Sequence, residues 1–92
     1  MENCTDLSNI KTSKIEVEET TSFGTPDKLH LKIDGKKIAS FYYNMKGYNQ
    51  DFYLFNDAGT QYGFGGDRSK SHQVADFKAA IKAGFVHIKP FK

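Results

Sequence analysis

A single cysteine, Cys4, stands in the 92 residues, so no disulfide can close within the chain and folding must come from burial alone. A lone thiol also fits a reducing compartment, where its ordinary place is an exposed terminus or a small gap in the core. Tryptophan is absent, and leucine occurs only at Leu7, Leu29, Leu31 and Leu54. No apolar run nears the ~18 residues that a membrane-spanning helix needs. The N-terminal stretch MENCTDLSNIK has neither the basic start nor the apolar core of a signal sequence. A cytoplasmic protein is expected.

Aromatic residues take the place of the missing aliphatics. Eight Phe and five Tyr must supply much of the burial, which favours strands over helices. A chain of this length builds one core and no second domain. Net charge is +2, but its distribution is uneven. Residues 1–27 carry six acids against Lys11 and Lys14, a balance of −4, and residues 28–92 carry eleven cations against five acids, a balance of +6. Such a chain is expected to show one acidic and one basic surface and to suit a partner of mixed charge.

Period-two alternation is the main pattern. It begins at residues 14–18, where Ile15 and Val17 point one way and charged side chains the other. Residues 20–27, with Gly24 and Pro26, read as a loop. The cleanest strand is 28–33, with Leu29, Leu31 and Ile33 on one face and Lys28, His30 and Lys32 on the other. Asp34-Gly35 supplies the positive φ of a two-residue type I′ hairpin, which sets Ile33 opposite Lys36, Lys32 opposite Lys37 and Leu31 opposite Ile38. In that register Ile38, Ser40 and Tyr42 share the face of Leu31, while Phe41 and Tyr43 lie with the lysines. Residues 51–55 and 60–64 predict a second hairpin, with Leu54 facing Tyr62 and Phe52 facing Phe64. Ser69 or Ser71 caps a helix that runs to about residue 83 and is closed by Gly84. Along it Val74, Phe77 and Ile81 recur at helical spacing. Residues 85–89 read as a final extended segment before Pro90.

These elements predict an α+β domain over 14–92: an antiparallel β-meander of four to five strands with one C-terminal helix packed on one face. Residues 1–13 read as a polar arm in which Leu7 and Ile10 allow a short helical turn.

Constellations for chemistry are missing from this pattern. Nucleophilic catalysis needs a Ser, Cys or Thr beside a base, and His30, His72 and His87 fall on three separate elements. Cys4 has no Cys or His at zinc spacing, so no metal is expected. Glu16 and Glu18 could pair as acid and base, but on a half-buried strand they read first as a solvated face. No cofactor and no small-molecule substrate follow from the sequence.

Two features read as binding sites instead. In residues 63–71, successive glycines lead into a helix N-terminus, with Arg68 and Lys70 to add positive charge for an anion. A nucleotide-binding P-loop would need glycine at 64 and 69, where Phe64 and Ser69 stand, so nucleotide hydrolysis is unsupported. The second feature is the set Lys28, Lys32, Lys36 and Lys37 with Phe41 and Tyr43, lysines interleaved with aromatics that could hold a nucleic-acid backbone or a protein surface.

Over its whole length, and in the stretches Lys36-Lys37-Ile38-Ala39-Ser40-Phe41-Tyr42-Tyr43 and Tyr62-Gly63-Phe64-Gly65-Gly66-Asp67, the chain resembles phage anti-CRISPR proteins, the small inhibitors of type I-F surveillance complexes. That group has no shared motif, so the resemblance transfers no residue role. It implies a non-enzymatic monomer in the host bacterial cytoplasm. Such an inhibitor docks on CRISPR-Cas effector subunits, with guide RNA as a further contact, and keeps target DNA from engaging. A small stand-alone nucleic-acid-binding module is the competing expectation, although such a module would ordinarily be more basic than +2.

Overall fold

A computed structural model describes residues 4–91. Among these residues, seven strands form two antiparallel sheets accompanied by one α-helix, an α+β fold with the predicted meander and C-terminal helix. The meander is the four-stranded sheet β2 (Glu16–Ser22), β3 (Thr25–Ile33), β4 (Lys36–Tyr43) and β5 (Tyr48–Gln50), in that order. A three-stranded sheet places β7 (His87–Pro90) between β1 (Thr5–Asp6) and β6 (Phe52–Phe55). Helix α1 spans Lys70–Lys82.

The turn after β3 forms as its sequence requires. Asp34 and Gly35 both take positive φ, 51° and 79°, and Ile33 pairs with Lys36 and Lys32 with Lys37. Beyond that the register departs from expectation. Leu31 pairs with Ala39 and Leu29 with Phe41, because Ile38 is an extra residue in a β-bulge. Side chains alternate along a strand, so one inserted residue exchanges the faces of everything after it. Ala39 and Phe41 turn inward, and Phe41 has no exposed surface. Ser40 and Tyr42 come to lie opposite His30 and Lys28, outside. The expected placement of Phe41 and Tyr43 among the lysines is thereby corrected. Tyr43 is half-buried against the core, its ring edge-on to Tyr48 at 5.2 Å.

Three other segments differ from their sequence reading. Residues 20–27 are not a loop, since β2 and β3 extend to a two-residue turn, Phe23-Gly24, with φ of 53° and 78°. Residues 60–64 form no strand. An isolated bridge joins Phe55 and Gln61, and the Tyr62 N–H donates to the Leu54 carbonyl at 2.8 Å. The expected Phe52–Phe64 contact is present, with ring centroids 5.3 Å apart. Finally, the arm joins the domain. Thr5–Asp6 pairs with β7, Leu7 donates its N–H to the Val86 carbonyl at 2.6 Å, and its side chain is buried. Thr12–Lys14 makes a short 3-10 turn, and the arm's residues 1–3 lie outside the described residues.

The helix starts where Ser69 Oγ accepts the His72 N–H at 3.2 Å. It ends with the N–H groups of Gly84 and Phe85 donating to the carbonyls of Ile81 and Ala80, at 3.1 and 3.0 Å. Gln73, Phe77, Ala80 and Ile81 form its buried side. Phe77 meets Phe52, which meets Phe41, at centroid separations of 5.7 and 5.2 Å with rings nearly perpendicular, the geometry aromatic quadrupoles favour. This chain of rings joins the helix and both sheets into one core. No helix of the described residues is long and apolar enough to cross a membrane.

Candidate functional site

The outer face of the four-stranded sheet holds Lys28, Lys32 and Lys37 together, but with acids among them, whereas Lys36, paired with Ile33, belongs to the opposite face and leaves the predicted set. In register, Glu16 of β2 faces Lys32 and Glu18 faces His30, and Lys32 Nζ lies 3.0 Å from Glu18 Oε1. The two halves of the chain that differ in charge are therefore neighbours in one sheet, and on this face acids and lysines are mixed and not segregated. Lys28, Lys36 and Lys37 are exposed. His30, between Lys28 and Lys32 on β3, is nearly covered, its Nδ1 sharing a 2.8 Å hydrogen bond with Ser40 Oγ.

Burial first, and then the charge of Lys37, hold the His30 imidazole below its ordinary 6.5, with Glu18 opposing. A histidine lowered by folding contributes stability that is present above the unfolded value and lost as pH falls. Acidification from about pH 7.5 to about pH 5 should therefore lower the melting temperature. Thermal melts of His30→Gln should show a smaller loss over the same range. An equal loss would contradict this role.

The glycine-rich segment is a latch rather than an open cradle. Arg68 and Tyr48 exchange backbone hydrogen bonds at 3.3 and 2.7 Å, which fastens the segment to the edge of β5. Asp67, at φ 58°, accepts from Asn44 Nδ2 at 2.6 Å and Asn49 Nδ2 at 3.2 Å and donates its own N–H to Asn49 Oδ1 at 3.1 Å. Those side-chain bonds hold its carboxyl below the ordinary carboxylate value. The Phe64 N–H is taken by Gln50 Oε1. Gln73, wholly buried, donates through Nε2 to the carbonyls of Tyr48 and Gly65 at 2.9 and 2.7 Å. The Arg68 guanidinium lies over Gly65, where a side chain at 65 would meet Nε at 2.9 Å. Several of the N–H groups expected to face an anion are thus occupied by the protein itself. Lys70 sits away from the outer lysine face, on the rim of a groove beside α1.

The surface feature absent from the sequence reading is a pair of apolar loop tips. Phe23 is fully exposed and Met45 is 85% exposed, and both have left-handed backbone, φ 53° and 81°. Because Lys28 pairs with Tyr42 and Tyr43 with Tyr48, the β2–β3 and β4–β5 turns leave the same end of the sheet. Tyr42, 41% exposed, lies beside Lys28 on the way to them. The signal for Phe23 was the residue pair Phe-Gly between two alternating runs, a hairpin turn written with an unusual first residue. Nothing in the sequence around Met45 marks it.

Among the described residues no three His, Cys, Asp or Glu side chains gather as a metal site would need. The other two histidines face single carboxylates, His72 with Asp76 at 3.7 Å and His87 with Asp57 at 2.6 Å. Comparison of the chain with protein families, with curated proteins and with solved structures finds no match.

Proposed function

We propose that the protein acts without catalysis, as an inhibitor that docks on a protein–RNA assembly through the end of the four-stranded sheet where Phe23 and Met45 project. The resemblance to anti-CRISPR proteins makes a type I-F surveillance complex the assembly in question, with docking keeping target DNA from engaging. The observation that carries this reading is Phe23. A left-handed backbone costs an ordinary side chain about 1–2 kcal/mol, and asparagine suits that place in a type I′ turn far better. Full exposure of the ring adds no burial in return. A residue that opposes both local geometry and solvation is understandable as a contact for another molecule. Of the outer-face lysines only Lys28 lies toward this end of the sheet, and Lys46 follows Met45 in the other tip, so cations adjoin the two apolar side chains, as a partner of mixed charge would need.

Phe23→Asn tests the reading through two opposite effects. The variant should melt higher, by roughly 4–8 °C for about 1 kcal/mol gained. Its affinity for reconstituted type I-F surveillance complex, measured by interferometry, should fall about tenfold or more, as expected for loss of an aromatic anchor. A more stable variant that binds undiminished would reject the tip as the docking element. Salt-sensitive binding to bare RNA or DNA of comparable affinity would favour the stand-alone nucleic-acid module.

A further inference from the structure

Among the described residues the four-stranded sheet has one open side. β5 is covered by the Arg68 latch, whereas β2 has no described neighbour beyond it, so seven residues, Glu16–Ser22, present a free hydrogen-bonding edge. Beside that edge, α1 leaves a groove of about 450 Å³ lined by Val17, Glu19, Lys70, Val74, Ala75 and Lys78. Val17 is 42% exposed, although its neighbour on the same face, Ile15, is buried. The groove is apolar along its floor and cationic along its helix rim.

We infer that the groove and the free edge of β2 take up an extended segment of a partner polypeptide, in which an apolar side chain is flanked two residues before and two residues after by carboxylates. The spacing follows from the helix. Lys70, Val74 and Lys78 recur at four-residue intervals on one side of α1, which sets the two lysine positions about 12 Å apart along the helix axis with the valine midway. Side chains on one face of an extended chain recur about every 6.7 Å, so three alternate residues span about 13 Å and match acid, apolar, acid to lysine, valine, lysine. Strand addition to β2 supplies main-chain hydrogen bonds, and the groove selects the alternate side chains.

Charge favours this occupant. Among the described residues Lys70 and Lys78 make no ion pair, and the Glu19 carboxylate accepts the Tyr48 hydroxyl at the far wall. On the other face of the added strand, side chains would fall beside Glu16 and Glu18, so carboxylates are accepted in the groove and disfavoured outside it. A second copy of the chain is a poor occupant, because pairing β2 with β2 would gather two sets of three glutamates, Glu16, Glu18 and Glu19, into one short seam.

The inference takes from the proposed function only that the protein works by binding, and its test needs no surveillance complex. The probes are two fluorescein-labelled, end-capped threonine peptides, one carrying glutamate, leucine, glutamate at alternate positions and the other lysine, leucine, lysine. Fluorescence anisotropy should show the glutamate peptide binding about tenfold tighter, and the Lys70→Glu/Lys78→Glu variant should reverse the preference with its melting temperature retained. Amide exchange in β2 should slow in the complex. Equal affinities, no saturable binding of either peptide at millimolar concentration, or protection elsewhere than β2 and α1 would overturn the inference. Failure here, with Phe23-dependent docking intact, rejects the groove and leaves the tip. The reverse result rejects the tip and leaves the groove.

Discussion

Phe41→Ala should destabilise the domain by about 3–5 kcal/mol, most of the stability that a chain of this size is expected to have. The ring has no exposed surface and stands edge-on to both Phe52 and Phe64, at 5.2 and 5.6 Å. Truncation removes the transfer energy of the ring and leaves a cavity where β4, β6 and the 60–64 segment meet. The neighbours are themselves large rings held by one another, so collapse around the gap is limited. Calorimetry should record a fall in melting temperature of at least about 12 °C, or an unfolded variant. Near-wild-type melting would put Phe41 back on the surface, and with it a β4 that lacks the bulge at Ile38.

Gly47→Ala should be the more local failure, costing about 2–3 kcal/mol. A Cβ at position 47 would lie 2.4 Å from the Asp67 carbonyl carbon, 2.6 Å from its oxygen and 2.7 Å from the Arg68 nitrogen. All three are backbone atoms, so no rotamer change relieves the overlap. The segment must instead move away from β5, which breaks the paired hydrogen bonds of Tyr48 and Arg68. Amide exchange at Tyr48 and Arg68 should then accelerate well beyond that at Leu29 or Leu31, which lie in the meander. Uniform acceleration, or none, would show that the latch does not depend on this close approach.

The same two sites show what could and could not be read from the residues. Features written as local chemistry were legible: the Asp34-Gly35 turn, the Ser69 cap, the Gly84 stop and the stripe containing Phe77 and Ile81. These depend on neighbours in sequence. The bulge at Ile38 leaves no comparable mark, because one extra residue in an alternating strand looks like continued alternation until the partner strand is seen. That one residue moved Phe41 from the predicted binding face to the centre of the core. Leu7 was obscure for a related reason, since a polar segment becomes a strand only when β7 offers an edge for it. Of the candidate site, Lys28, Lys32 and Lys37 were correctly placed on one face, but the glutamates among them came from a β2–β3 pairing hidden by the unusual Phe23-Gly24 turn. Arg68 was recognisable as cationic, while its place in a closed latch rests on contacts with residues 44–50, far away in sequence.

Occupation of a surface and chemical modification of a partner differ most plainly in stoichiometry. Purified protein should be titrated into a fixed concentration of type I-F surveillance complex, well above the dissociation constant, with target-DNA binding read at several incubation times. Inhibition that rises linearly to a break at a small whole-number ratio, and does not change with time, is the expected result. Progressive loss of DNA binding at substoichiometric protein, or full DNA binding at every ratio, would contradict docking on this complex as the mode of action.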